Sequence, residues 1–411
     1  MGRSKMEHSK QAPFCIDNNK KAVNWKMKLA SSMVKRYRDI TFDALKDAKT
    51  IKRNGQVIYS LLSPSVNSPT GRRRMRYLFR DMVAPGTKIE HNQIVQWGSR
   101  TPHIVSLAFN YECQCKCTHC CSEKYRGMSP SDYLTKEQAI DCMKQATDMG
   151  TTTFILGGGE PMLRDDLPQI ISALDKNKAT VTIFTNGEYL TDEKARELAD
   201  SQVYGIFVSI DSATPKNHDQ IRQRPGLFQK AIEAIENCKR HNIPVGISTV
   251  CTREGIADED LLKLIEIGKE LDVFEIFVLD VVATGNLLEA DQVILDDAER
   301  LTIEQVMDDC AKKEGYPNII HESMLFKLAY PCVQGCPAGT IMMHLRADGR
   351  VSPCDFMPRY YGNVKEEDLS VIWKRMIQDR AFADFSPACR MNDKTFRDNY
   401  IFENKTAVCC G

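Results

Sequence analysis

The chain has 411 residues, of which 42% are apolar, enough for two or three domains with a sizeable core. No stretch approaches the roughly 20 consecutive apolar residues of a membrane-spanning helix, so we expect no membrane span. The 55 basic and 55 acidic side chains balance, which excludes a strongly polyanionic or polycationic protein.

The sixteen cysteines are the unusual part of the composition. The first residues, Met1 to His8, lack the apolar segment of a secretory signal. Many cysteines without such a signal indicate a reducing compartment and metal ligation instead of disulfide bonds. The sequence therefore predicts a cytoplasmic protein that binds metal through thiolates.

Residues 1–100 form a basic region with 21 Lys and Arg against 7 Asp and Glu. Apolar side chains at near-helical spacing between about residues 20 and 47 predict that it is mainly helical. Its most basic part, residues 71–80, carries five arginines. An acidic peptide, a nucleic acid or an anionic lipid surface would suit this charge, and so would the acidic remainder of the same chain. We expect an acidic partner for this region, either a separate molecule or the acidic remainder of the chain.

Residues 101–325 alternate short apolar runs with amphipathic segments, the pattern of a parallel α/β fold. Thr135 and Gln138 form a predicted capping box at the start of the first amphipathic segment. Six such units are too few for a closed eight-stranded barrel, so we predict a partial (β/α)6 parallel barrel. The predicted strands cover residues 104–109, 152–156, 180–184, 204–210, 244–250 and 273–279, and the predicted helices cover residues 135–149, 191–201, 226–242 and 258–271.

Polar or glycine-rich segments follow the first four predicted strands directly. They are the cysteine-rich loop after residue 109, residues 157–161, residues 185–187 and residues 209–212. In parallel α/β folds the carboxyl ends of the strands lie at one edge, where ligands bind. The sequence therefore predicts a single site at this edge.

Three cysteines in the loop after the first strand, Cys113, Cys117 and Cys120, form a C-x3-C-x2-C pattern. A loop this short can ligate three irons of a cubane cluster through its thiolates and leave the fourth iron for another ligand. Cys115 and Cys121 lie within reach and compete as ligands in principle. The alternative is a structural zinc site, which usually has paired C-x2-C ligands and four protein donors.

The cysteine loop and the segments at the strand ends resemble the radical S-adenosylmethionine (SAM) superfamily over roughly residues 100–285. The resemblance implies a 4Fe–4S cluster that binds SAM at its open iron. Reductive cleavage of SAM would then give a 5′-deoxyadenosyl radical that takes a hydrogen atom from the substrate. A low-potential donor such as flavodoxin or ferredoxin would supply the electron.

The same resemblance implies roles for individual residues around SAM. Gly158, Gly159 and Glu160 match the motif that holds the SAM amino group. Thr185 and Asn186 match positions near the ribose and methionine parts. Ser209 and Arg222 match groups that bind the methionyl carboxylate, and a guanidinium suits this task because it can bind a carboxylate at two points. His119 stands where the family usually has an aromatic residue beside the adenine, although a solvated loop histidine explains it equally well.

Residues 326–411 are predicted to form a small cysteine-rich α+β extension. Asp348-Gly349 between apolar runs predicts a hairpin. The spacing Cys336-x12-Gly349-x4-Cys354 resembles the SPASM and twitch extensions, which implies an auxiliary iron–sulfur cluster. Cys336 and Cys354 are then its ligands, and a zinc site is the alternative. The residues that compete for the remaining places are Cys332, Cys389, Cys409 and Cys410.

The sequence leaves three functional hypotheses open. Relatives with such extensions often oxidise or cross-link ribosomal peptides or proteins, and the basic region would then hold an acidic leader. Others modify small molecules such as haem precursors, and an anionic tetrapyrrole would suit the same basic region. The third hypothesis is a cluster protein without turnover, for which Glu160 would be dispensable.

Overall fold

Nine strands form one open, mostly parallel sheet in the computed structural model, which describes residues 88–90, 93–96, 101–322, 336–382, 386 and 388–402. The predicted helical N-terminal region and the arginine-rich residues 71–80 lie outside the described residues. A two-stranded antiparallel hairpin of β1 (Lys88–Glu90) and β2 (Gln93–Gln96), which the sequence did not predict, falls at the end of that region. None of the helices in the described ranges is long and apolar enough to cross a membrane.

The six predicted strands are all present and pair in chain order as parallel neighbours. Each matches its prediction to within two residues at either end. Side chains are buried at nearly every position of the first, fourth and fifth of these strands, as expected of parallel strands covered by helices, and alternate with partly buried ones in the other three. These strands are β3 (Ile104–Ala108), β4 (Thr153–Gly157), β5 (Thr180–Thr185), β6 (Gly205–Ser209), β7 (Val245–Cys251) and β8 (Glu275–Asp280).

Three further strands extend this sheet at its two edges. β9 (Asn318–His321) adds to β8 in parallel. β10 (Met342–Leu345) adds to β3 in parallel, and β11 (Val351–Ser352) pairs with β10 as an antiparallel hairpin. The predicted turn at Asp348-Gly349 is confirmed, since Gly349 has a φ of +88° between these two strands. The sheet is not closed into a full barrel, as predicted, and the C-terminal extension shares it.

Helices cover the sheet, and the longer ones bury an apolar stripe against it. The first has the predicted capping box, in which the Thr135 side chain accepts from the Gln138 amide and the Gln138 side chain accepts from the Thr135 amide. The helices are α1 (Lys136–Met149), α2 (Leu167–Ser172), α3 (Asp192–Asp200), α4 (Pro215–Arg222), α5 (Leu227–Arg240), α6 (Arg253–Ala257), α7 (Asp260–Glu270), α8 (Asp297–Ala311), α9 (Leu369–Ile377) and α10 (Lys394–Arg397).

Candidate active site

A cavity of about 490 Å³ opens inside the curved sheet, and its lining includes side chains from the strand ends. Phe184 on β5 and Phe277 on β8 lie on its apolar wall, with their ring centroids 5.9 Å apart. The cysteine loop, the glycine run after β4 and the ends of β5, β6 and β8 all contribute to the lining. The single site that the sequence predicts at this edge is therefore formed.

The cysteine loop places Cys113, Cys117 and Cys120 on the cavity wall, packed around the buried Cys115. The hydrogen bond from the Cys115 thiol lowers the pKa of Cys117 to about 5 and also lowers that of Cys113. A lowered pKa favours the thiolate, which is the form that ligates iron. Cys121 also lines the cavity, and burial raises its pKa above the ordinary value. The thiols of Cys113 and Cys117 therefore suit iron ligation better than the thiol of Cys121, and Cys120 lies on the same wall.

Hydrogen bonds and close packing from two other segments fix the backbone of this loop. The amides of Lys116 and Thr118 donate to the carbonyls of Arg222 and Ile221 at the end of α4, over 3.1 and 3.0 Å. On the other side, the Asn286 side-chain amide donates to the Cys117 carbonyl over 3.1 Å. The neighbouring Gly285 lies so close that an added Cβ would stand 2.1 Å from the Cys120 carbonyl oxygen. The loop is therefore held between the segments after β6 and β8.

The glycine run after β4 packs against the chain's own backbone. A Cβ on Gly159 would stand 2.2 Å from the Glu112 carbonyl oxygen, and one on Gly158 would stand 2.7 Å from the Asn110 carbonyl oxygen. A Cβ on Gly157 would meet nothing within 4 Å. Gly158 and Gly159 therefore let the entry to the cysteine loop approach the strand end closely.

Glu160 is 1% exposed, and its carboxylate accepts hydrogen bonds from three groups. Thr185 Oγ1 and the Met162 amide donate to Oε1 over 2.6 and 3.0 Å, and the Asn186 amide donates to Oε2 over 2.9 Å. Burial raises the pKa of Glu160 above its ordinary value, against these hydrogen bonds, which lower it. The Glu160 carboxylate thus joins the Thr185 side chain and the Asn186 backbone in one connected group at the cavity, as their shared edge predicts.

A second polar group stands at the ends of β6 and β7. Arg222 Nε lies 2.6 Å from Asp211 Oδ2, and His119 Nε2 lies 3.6 Å from the same oxygen. Burial raises the pKa of Asp211, but the Arg222 guanidinium and His119 outweigh this effect and lower that pKa to about 2. Ser209 Oγ lies 3.1 Å from Ser248 Oγ on the same wall. The structure thus brings the predicted His119, Ser209 and Arg222 to one cavity.

The predicted auxiliary cysteines that the structure describes lie outside the cavity lining. The buried Cys336 and Cys354 belong to the main hydrophobic core, and the partly buried Cys389 packs against that core. Burial raises the pKa of Cys354 and Cys389 well above the ordinary value, and the neighbouring cysteines raise it further. The structure therefore brings together three of the predicted ligands. Cys332, Cys409 and Cys410 lie outside the described residues.

Sequence reasoning missed Asp211, Ser248, Gly285 and Asn286. Asp211 directly follows the serine at the end of β6, so its position at the strand edge was a usable signal. Gly285 and Asn286 follow the last predicted strand, after which no ligand segment was assigned. Their contacts with the cysteine loop depend on the curvature of the sheet, which no local pattern contains.

The donor set fits a cluster at the cysteine loop, since three thiols line a cavity with open volume beside them. A structural zinc site usually takes four protein donors, whereas the predicted pattern places three thiols beside open volume at this loop.

Two family models match the chain. The radical SAM superfamily matches residues 108–267, and SPASM, an iron–sulfur cluster-binding domain, matches residues 336–398. The first span holds the cysteine loop and every residue implied around SAM, and the second holds Cys336, Cys354 and Cys389. The two matches confirm the resemblance both for the cysteine loop and for the C-terminal extension.

Known proteins resemble the chain over about two thirds of its length. It is 28% identical to the AdoMet-dependent heme synthase of Methanosarcina barkeri, covering 67% of this chain and 83% of the relative. It is 26% identical to the PqqA peptide cyclase of Rhizobium meliloti, covering 66% of this chain and 74% of the relative. Among solved structures, Streptococcus suis SuiB bound to precursor peptide SuiA has a TM-score of 0.58 at 18% identity, over 86% of this chain and 79% of that chain. This last likeness shows the fold.

Proposed function

We propose that the chain oxidises its substrate after radical hydrogen-atom abstraction, because the family models of the radical SAM superfamily and of the SPASM domain both match it. A 4Fe–4S cluster and SAM at the first site supply reductive cleavage of SAM and hydrogen abstraction. The auxiliary cluster would accept the electron that the substrate radical loses. The observation that carries this proposal is the cysteine triad on the wall of the same cavity as Glu160 and Arg222.

The residues around the cavity have distinct proposed tasks. Cys113, Cys117 and Cys120 hold the cluster. Glu160 orients the SAM amino group through the strand edge that it organises with Thr185 and Asn186. The terminal nitrogens of Arg222 have no hydrogen-bond partner among the described residues, because only Nε contacts Asp211, so they remain for the methionyl carboxylate. Ser209 lies on the same wall for that carboxylate, and His119 lies beside the adenine.

We propose a ribosomal peptide as the substrate. Of the two arginines that line the cavity, Arg126 is paired with Glu123, and Arg222 is paired with Asp211 and assigned to the methionyl carboxylate. No lysine lines it within the described ranges. A ligand with many carboxylates would therefore find few cations, whereas a peptide segment needs none. The peptide cyclase relative supports this choice, and the basic residues 1–100 would hold an acidic leader.

A haem precursor is the second candidate, favoured by the heme synthase relative, which has the higher identity of the two. The basic N-terminal region would suit the acidic side chains of a tetrapyrrole. Flavodoxin or ferredoxin remains the proposed electron donor in either case.

The test uses anaerobically reconstituted protein with SAM and dithionite. Formation of 5′-deoxyadenosine is measured with no addition, with a small acidic peptide encoded beside the gene, and with a carboxylate-rich tetrapyrrole. We expect the peptide to raise the rate of 5′-deoxyadenosine formation. The peptide should also lose the mass of two hydrogens, as an oxidation or an internal cross-link requires. Stimulation by the tetrapyrrole alone would establish the second candidate. No 5′-deoxyadenosine under any condition would support a cluster protein without turnover.

A further inference from the structure

Arg346, the residue after β10, is a buried cation surrounded by three tyrosine rings. Only 2% of it is exposed. Its guanidinium carbon lies 3.7 Å from the centre of the Tyr125 ring, 4.7 Å from that of Tyr360 and 5.6 Å from that of Tyr111. The hydroxyls of Tyr125 and Tyr360 lie 2.8 Å apart and close the arrangement. We call these three rings the tyrosine box.

The rings of the tyrosine box come from three segments next to cluster ligands. Tyr111 precedes Cys113 by two residues, and Tyr125 follows Cys120 by five. Tyr360 follows Cys354 by six. Arg346 therefore touches both flanks of the cysteine loop and the segment after a ligand of the auxiliary site. It connects the two cluster sites through side chains alone.

The chemistry of the box is specific to arginine. A planar guanidinium can stack on aromatic faces and hydrogen bond at its edge, which the compact ammonium of lysine cannot do together. At the edge, Arg346 Nη2 donates to Asp348 Oδ2 over 3.4 Å in an ion pair whose side chains are 3% and 9% exposed. Arg346 Nη1 also donates to the Tyr360 hydroxyl. The buried charge thus has one carboxylate and three rings in place of water.

One backbone hydrogen bond and a small apolar cluster join the β10–β11 hairpin to the segments that flank the cysteine loop. The Leu134 amide donates to the Ala347 carbonyl over 2.7 Å. Ala347 also packs with Ala108 and Tyr111 in a small core of its own, separate from the main core of the sheet. A displacement of the hairpin would therefore move the entry to the cysteine loop with it.

We propose that Arg346 is a positioning residue that holds the cysteine loop at a fixed distance and orientation from the auxiliary site. This inference rests on the proposed function in one respect, since it takes both sites to hold clusters. Its consequence is that the separation of the two clusters has one value, set by the tyrosine box.

The experiment compares wild type with Arg346→Gln and Arg350→Gln. Arg350 is the matched control, because it contacts the same Asp348 and the Tyr360 ring from the same hairpin but has a 53% exposed side chain. Pulsed dipolar EPR on the dithionite-reduced holoenzyme measures the distance between the two clusters. We expect one narrow distribution in wild type and in Arg350→Gln, and a broadened or shifted one in Arg346→Gln.

Hydrogen exchange of residues 110–126 in the apoprotein gives a second readout that needs neither cluster nor turnover. Arg346→Gln should raise the amide exchange rates of these residues roughly tenfold or more above those of Arg350→Gln. The reason is that the desolvated cation–π contacts of Arg346 stabilise this segment against local opening. If Arg346→Gln does not take up iron, Tyr360→Phe, which removes only the shared hydroxyl, should broaden the distribution instead. The proposal would be overturned if the Arg346→Gln variant, or Tyr360→Phe in its place, left both the cluster–cluster distance distribution and the hydrogen exchange unchanged. If the wild-type protein does not cleave SAM, the proposed function fails, but both of these measurements remain possible.

Discussion

Arg222 and Asp211 form an ion pair on the cavity wall, with side chains that are only 11% and 2% exposed and 2.6 Å between Nε and Oδ2. The pair connects the end of α4 to the end of β6, and the Arg222 carbonyl also accepts from the cysteine loop. One residue thus contacts the loop through its backbone and faces the cavity with its side chain.

Arg222→Ala should weaken SAM binding by roughly tenfold to a hundredfold, because it removes charge-assisted hydrogen bonds to the methionyl carboxylate. Binding is measured anaerobically by titration calorimetry on protein with full iron content. Arg224→Gln is the matched control, since Arg224 pairs with Glu188 and lies outside the cavity lining. Equal SAM affinity in both variants would contradict the role given to Arg222.

Gly159→Ala should destabilise the protein by about 2 kcal/mol or more and displace the cysteine loop, because the new Cβ would meet backbone that cannot move aside. Gly157→Ala places the same methyl group in open space and should unfold at nearly the wild-type denaturant concentration. Urea unfolding of the two apoproteins makes the comparison. A stable Gly159→Ala would show that the loop tolerates displacement.

His344 should make the fold less stable as the pH falls from 7 to 5. Burial, with the nearby Arg346, lowers its pKa to about 3, while its Nδ1 stays 2.8 Å from Ser106 Oγ. Below an unfolded pKa of about 6.5 the unfolded chain binds a proton that the folded chain does not, which costs roughly 2 kcal/mol at pH 5. His344→Gln should lose this part of the pH dependence in urea unfolding. The same slope in both proteins would contradict a neutral, buried His344.

The auxiliary site should retain iron when the first site is removed. The variant Cys113/Cys117/Cys120→Ala should keep about four irons and an EPR signal on reduction that SAM does not change, because a fully ligated cluster has no open iron. Adding Cys336→Ala and Cys354→Ala should abolish that signal, whereas adding Cys142→Ala, a buried cysteine of α1, should not. Zinc without iron in the first variant would mean a structural site.

The fold was predictable where local pattern decides it. The strands and the capping box at Thr135 follow from side-chain periodicity and a four-residue hydrogen-bonding pattern, and the hairpin at Gly349 follows from its turn residues. The pairing of β10 with β3 was not predictable, because the two strands are far apart in sequence and the local sequence of neither strand specifies its pairing partner.

The candidate site divides in the same way. The cysteines, Glu160 and Arg222 were predictable from motif spacing and from their place at strand ends. The partner of Arg222 and the clamp of Gly285 and Asn286 on the cysteine loop arise from segments that meet only in the folded sheet. The packing role of Gly159 also depends on which backbone lies opposite it.

The most direct test of the account is whether the cysteine triad supports reductive cleavage of SAM. Protein reconstituted anaerobically is reduced with dithionite, and 5′-deoxyadenosine is measured by mass spectrometry in wild type, in Cys113/Cys117/Cys120→Ala and in Cys142→Ala. We predict 5′-deoxyadenosine from wild type and Cys142→Ala and none above background from the triple variant. Formation of 5′-deoxyadenosine by the triple variant would contradict the account and assign the cluster to Cys115 or Cys121.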